Sequence, residues 1–408
     1  MNQRKRTSAA LALCATIFSA AQLHSQDWPQ WRGPNRDGKA TGFTAPDTWP
    51  QQLKQEWTAT VGVGDSTPAL VDGKLYTLGR EDTDEIITCF DAATGKTIWG
   101  QRYPADYVVT GPPARHPGTR SSPVVADGKV CTLGVGGILS CLDAATGKVL
   151  WRKQSANDYL GTAYRFDSSM SPLVVDGKCI VHIGGKGAGS IFAFDLASGE
   201  SKWKWDGDAP ASSSPVVMTV NGTKQLVTFS AKSLLALDLS NGKLLWQVPF
   251  EAKQGNNTTP VIYGETVYYT GQGKGMFALK IESHGAGFTA TPLWTNSTLG
   301  ARFTTPVLKD GLLYGYVRGF SCADAKTGET LWADDTGRGM SAAIVDAGPV
   351  LVASTVDSNL IVFKPGGKGY SELAKIKVAD TETWATPVLA GKRIFVRDHG
   401  SVTCWSLD

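Results

Sequence analysis

Histidine is scarce in this sequence. Its five copies, His24, His116, His182, His284 and His399, fall in no spacing used by zinc motifs or catalytic triads, so hydrolytic chemistry has no support. Cysteine is sparse as well: seven copies, no two adjacent and none in a Cys-x-x-Cys-His arrangement, which excludes covalent haem attachment. Long apolar runs are missing; the stretch from Ala9 to Ala21 is too short to span a bilayer. Neither charge sign prevails. The chain carries 40 basic and 37 acidic residues, and three of the basic ones, Arg4, Lys5 and Arg6, sit ahead of that apolar stretch. With no basic stripe and no interleaved aromatics, nucleic acid is excluded as a partner.

Residues 1–25 combine the basic start, the apolar stretch and small residues near Ala21 and Ser25, the pattern of a cleaved secretory signal. Its removal leaves 37 residues of each sign, a formally neutral chain. The expectation is an exported protein, periplasmic or envelope-associated, monomeric and without a transmembrane segment.

What the sequence does contain is a repeat. Asp-Ala-Ala-Thr-Gly-Lys occurs at Asp91–Lys96 and again at Asp143–Lys148, each followed three residues later by a tryptophan, Trp99 and Trp151. Looser copies run Asp195–Trp203, Asp238–Trp246 and Asp324–Trp332. Ahead of each copy lies a short apolar run opening on a hydroxyl residue and proline: Thr67-Pro68, Ser122-Pro123, Ser171-Pro172, Ser214-Pro215, Thr259-Pro260, Thr305-Pro306 and Thr386-Pro387. Ala342-Ala343 fills the remaining gap, making eight starts. Asp72-Gly73, Asp127-Gly128, Asp176-Gly177, Asn221-Gly222 and Asp310-Gly311 follow as tight hairpin signals.

Each unit therefore reads as four short strands without helical periodicity. Repeats of roughly 40–50 residues with this content predict propeller blades. The expected fold is all-β, an eight-bladed β-propeller of four-stranded antiparallel blades over residues 56–408. Because the last unit stops at Cys404–Asp408, the segment Gln55–Thr60 is expected to complete the last blade and close the ring. Residues 26–55 form a separate Trp/Pro-rich segment, expected to pack across one face.

Cys89, Cys141, Cys322 and Cys404 share one repeat slot, filled elsewhere by Ala193, Ala236 and Ala278, which marks it as small and buried. Cys131 lies across a turn from Cys141, and an exported compartment permits a disulfide between them. Thiol titration of the unfolded, unreduced mature protein decides this; six free thiols exclude the bond.

The unit Ala/Cys-x-Asp-x-x-Thr-Gly-Lys-x-x-Trp resembles the tryptophan-docking motif of quinoprotein-like (PQQ-like repeat) propellers. That family includes pyrroloquinoline-quinone (PQQ)-dependent alcohol dehydrogenases and outer-membrane assembly proteins of the BamB type. The resemblance implies that Trp57, Trp99, Trp151, Trp203, Trp246, Trp294 and Trp332 wedge between blades. Blades five and seven depart from it, with Lys280 and Lys364 at the aspartate position. The segment Asp27–Gly38 is similar to the opening of exported repeat proteins of planctomycetes. In the dehydrogenases the quinone lies between a tryptophan and a disulfide of adjacent cysteines, beside Ca2+. This sequence has no such pair, and its candidate oxygen ligands, Asp167, Asn256, Asn257, Asp357 and Asn359, show no selecting spacing.

Strand order puts the Asp-Gly hairpins and Thr-Gly-Lys turns on one face. The opposite, funnel face receives the variable loops, where function tends to reside. Ligand-binding candidates there are Arg115, Arg120, Arg165, Asp167, Arg302, Arg318, Arg338, Trp384 and His399, with His116 and Lys274 nearby. Converging arginines suit a small anionic ligand or an acidic protein loop; the alternative is solvated loop charge. No catalytic residue, metal or cofactor is assigned. Two functions follow: a non-catalytic, BamB-like binding or scaffold protein of the envelope, or a quinoprotein dehydrogenase with a divergent PQQ and Ca2+ site.

Overall fold

In the computed structural model, residues 27–105, 112–154, 169–185, 187–285, 287–337 and 339–408 are described. They form eight four-stranded antiparallel sheets. Seven are continuous in sequence; the eighth combines Val388–Ala390, Arg393–Arg397 and Ser401–Ser406 with the N-terminal strand Lys54–Thr60. That strand pairs along the final one from Lys54 opposite Ser406 to Thr60 opposite Ser401, closing the ring.

The repeat residues explain themselves in geometry. Asp72 and Gly73 both have positive φ, 49° and 70°, and the other four hairpin pairs repeat this, the backbone of the turn that fits twisted strands. In the Thr-Gly turn, Asp91 Oδ1 accepts from the amides of Ala93 and Thr94 and from the Thr94 hydroxyl, which holds its carboxyl below the ordinary value.

Each indole then reaches the next blade. Trp99 Nε1 donates to Ala144 O at 3.0 Å, and Trp57, Trp151, Trp203 and Trp294 donate to Ala92, Leu196, Leu239 and Ala325. The indole lies on the motif glycine of that neighbour; a Cβ on Gly147 would stand 2.6 Å from the Trp99 ring. Where the motif fails, the bond moves. Blade five lacks the aspartate turn, and Trp246 donates instead to Gln225 Oε1 within its own blade, at 2.7 Å. Blade seven also lacks it, and Trp332 donates to Gly366 O at 2.8 Å. Gly147→Ala, with φ of 74° and no room, should cost about 2–4 kcal/mol in urea unfolding. Gly128→Ala, with φ of 68° but open space, should cost only the backbone term, about 1–2 kcal/mol.

The six described cysteines, Cys131 and Cys141 among them, are buried free thiols. Cys131 and Cys141 stand directly opposite each other in adjacent strands. Contact with the Cys141 and Cys179 thiols, together with burial, raises the Cys131 thiol well above its ordinary value.

His182 is buried in blade three with Nε2 3.1 Å from Asp208 O, and burial pushes its pKa from 6.5 down to about 4. The unfolded chain therefore binds this proton more readily, and stability falls as pH drops from 6.5 to 4. The loss from this group should be on the order of 3 kcal/mol, visible as a pH-dependent midpoint that flattens in His182→Gln.

Candidate functional site

The Ser/Thr-Pro starts face the channel and stitch the ring. The Thr67 amide donates to Ser122 Oγ, and the pattern repeats from Ser122 to Ser171, Ser171 to Ser214, Ser214 to Thr259 and Thr259 to Thr305, each at 2.9–3.1 Å. Thr386 closes it onto Thr67. Ala342 has no hydroxyl, and there Thr304 takes over, bonding Ala342 through both its amide and its carbonyl. These hydroxyls are thus structural, while carbonyls beside them remain available to the channel.

The N-terminal segment takes up those carbonyls. It runs over the hairpin face, pairing Trp28 with Leu70, Lys39 with Asp346 and Phe43 with Gly391, so it touches the inner strands of blades one and seven and the turn that follows the inner strand of blade eight. From it Arg32 enters the channel and donates to Thr305 O and Pro306 O. Arg36 reaches the opposite side and donates to Ser171 O, Pro172 O and Pro215 O. Both guanidinium groups are fully buried; desolvation lowers Arg32 to about 10 and Arg36 to about 9, so both remain charged at neutral pH. Planar donors in a fixed fork suit such convergent carbonyls.

Above this plug, Trp31 contributes to a cavity of about 230 Å³ in the funnel. Its aromatic wall is Trp31, Phe303 and Trp384; Ser169, Ser171, Ser212, Ser214 and Asn257 supply polar groups, and Asp65, His116 and Arg120 complete the rim. Trp384 meets His116 and Phe303 edge-on, at centroid distances of 5.4 and 5.5 Å. Arg120 Nη2 donates to His116 O, and Arg302 lies 4.6 Å over the Phe303 ring.

Of the candidates named from sequence, Arg120 and Trp384 line this cavity and Arg302 flanks it. His399 lies 6.3 Å from His116, centroid to centroid. Arg115 and Arg318 are exposed and line no part of the cavity. Arg165, Asp167 and Arg338 lie outside the described residues.

Sequence reasoning placed Trp31 only in the segment expected to pack across one face, and it did not name Asp65 or Phe303. Their only signal was position: Asp65 and Phe303 each lie two residues ahead of an inner-strand hydroxyl, Thr67 and Thr305. It also assigned no metal, because the relevant histidines are 283 positions apart by the numbering and share no spacing. The fold brings them together: Asp65, His116 and His399 each place a ligand-type atom within 4.8 Å of the others. Asp65 Oδ2 lies 3.1 Å from His116 Nδ1, and this approach raises the His116 pKa while burial opposes it.

A family model described as "Outer membrane protein assembly factor BamB" matches residues 83–334, more than half of the chain. The chain belongs to this PQQ-repeat propeller family. BamB of Burkholderia pseudomallei is 25% identical over 414 aligned residues, covering 97% of each protein. A quinohemoprotein alcohol dehydrogenase of Comamonas testosteroni is 33% identical over 152 residues, 36% of this chain and 20% of that enzyme. Among solved structures, BamB from Moraxella catarrhalis superposes with a TM-score of 0.63 at 17% identity, covering 87% of this chain and 97% of that one. The Comamonas dehydrogenase superposes with a TM-score of 0.66 at 16% identity, covering 95% and 81%. At these identities the superpositions establish the fold alone. The family thus spans BamB-type proteins and quinoprotein dehydrogenases.

The quinone and Ca2+ that the dehydrogenase side of the family implies do not fit the described residues. Among the described residues no cysteine lines the funnel cavity, and all six are buried. Asn256 Oδ1 accepts from the Ala252 amide and Asp357 Oδ1 from the Thr355 hydroxyl, and among the described candidate ligands only Asn257 lines the cavity. Arg32 and Arg36 occupy the channel itself.

Proposed function

We propose that the protein is an exported, non-catalytic propeller that acts as a binding or scaffold protein in the cell envelope and engages its partner through the funnel. The observation that carries this reading is the channel: the chain's own Arg32 and Arg36 fill it, leaving a cavity with aromatic walls and the Arg120 guanidinium on its rim. Aromatic faces beside arginine are the side chains that anchor protein interfaces. An acidic loop of an envelope protein, or a small anionic ligand, suits the cation. The leader at residues 1–25 supports export, and among the described residues no helix is long and apolar enough to cross a membrane.

Affinity capture from envelope extract tests this with three baits: the native protein, Arg120→Ala and Trp384→Ala. A partner retained by the native bait and lost from both variants is expected; equal retention by all three would retire the funnel as the binding surface. Titration with PQQ and Ca2+ should leave absorbance and thermal midpoint unchanged, and a saturable shift would instead favour the dehydrogenase reading.

A further inference from the structure

Three loops from different parts of the chain meet at one edge of the funnel. Asp65 lies in the loop entering blade one, His116 follows the short helix Pro112–Arg115, and His399 sits in the turn between the strands Arg393–Arg397 and Ser401–Ser406. We propose that Asp65, His116 and His399 form a binding site for a divalent transition metal of the zinc class, with one coordination position open to the funnel cavity.

The donor set selects the class of ion. Two imidazoles and one carboxylate suit zinc-like ions, whereas magnesium and calcium favour all-oxygen shells. A tetrahedral ion with bonds of about 2.0–2.2 Å holds its donors roughly 3.3–3.6 Å apart. Asp65 Oδ2 and His116 Nδ1 are already at 3.1 Å, and all three donors lie within 4.8 Å of one another. Nδ1 of His116 is buried and faces the Asp65 carboxylate.

The backbones behind these side chains are fixed to one another. Gly64 N donates to His399 O at 3.0 Å, and Asp65 N donates to Thr119 O at 2.8 Å, which ties the first loop to both others. Beneath them, fully buried Arg397 donates to Gly62 O, Gly64 O and Ser66 Oγ. Arg80 holds Pro117 O, next to His116. The donors therefore sit on a preorganised frame, as a metal site requires. On the far side of the His116 ring, Glu382 Oε2 stands 3.9 Å from Nε2, the place where an outer carboxylate orients a metal-bound imidazole.

Three protein donors leave a fourth position for water or an anionic donor. Under the scaffold reading that donor is a carboxylate of the partner, but the metal site does not depend on that reading.

The test uses purified protein without a polyhistidine tag. Titration with Co2+, followed by visible d–d absorption, and calorimetry with Zn2+ should each report one equivalent bound. His399→Ala and Asp65→Asn should abolish the cobalt band and weaken zinc by at least about 100-fold, and Glu382→Gln should weaken it about 10-fold. His284→Ala, at an exposed site elsewhere, should bind as the native protein does. No cobalt band with the native protein, or native zinc affinity in a folded His399→Ala, would overturn the proposal. The native cobalt titration stays decisive even if a variant fails to fold.

Discussion

Truncation of the chain through Thr60 should abolish cooperative unfolding. The strand Lys54–Thr60 is the fourth strand of the last blade, and without it the final strand Ser401–Ser406 presents an unpaired edge. The same deletion removes Trp57, whose indole donates to Ala92 O in blade one across the closure. A propeller whose first and last blades are unlinked loses the nearest-neighbour interface that makes the ring a single unit, and an open apolar edge invites association. Urea denaturation followed by circular dichroism should show a broad, shallow transition for this truncation. A shorter truncation, through Pro50, removes the plug and keeps the strand, and should retain a sharp transition at a lower midpoint. Restoring Lys54–Thr60 behind Asp408, where Lys54 already pairs with Ser406, should return cooperativity to the longer truncation.

Arg36→Met should destabilise the protein by about 3–5 kcal/mol, because it strips donors from buried backbone carbonyls while keeping the length of the side chain. Ser171, Pro172 and Pro215 each lose a charge-assisted bond, and Gln30 Oε1 loses the Nε donor. Arg36→Lys should recover only part of the loss, since one ammonium cannot reproduce a planar fork aimed at two blades. Denaturant midpoints at constant slope measure both. A change below about 1 kcal/mol for Arg36→Met would mean that water satisfies those carbonyls instead.

The repeat made the ring legible because it is written in local chemistry. Asp-Gly pairs specify positive φ, Asp-x-x-Thr-Gly specifies a turn, and the missing fourth strand at Cys404–Asp408 pointed to its replacement near Trp57. Even the irregularities were visible, since Lys280 and Lys364 mark the two blades to which Trp246 and Trp332 cannot bond in the regular way. The site was less legible for a physical reason. Its members converge from loops whose positions are set by ring closure, so Asp65, His116 and His399 are neighbours only because the last blade meets the first. Nothing in the sequence singles out Arg32 and Arg36 within the Trp/Pro-rich stretch. Only the fold reveals that they answer the carbonyls beside the Ser/Thr-Pro starts. Arg115 and Arg318, chosen for charge and loop position, are exposed and do not line the cavity.

The central claim is that the repeat builds a scaffold and that recognition occurs in the funnel. Site-specific photocrosslinking in envelope extract tests it most directly, with a photoreactive phenylalanine analogue placed at Trp384 in the funnel or at Lys148 in a Thr-Gly-Lys turn of the opposite face. A discrete adduct from position 384 and none from position 148 is the expected result. An adduct from position 148 alone would contradict the claim and move recognition to the face that the repeat itself builds.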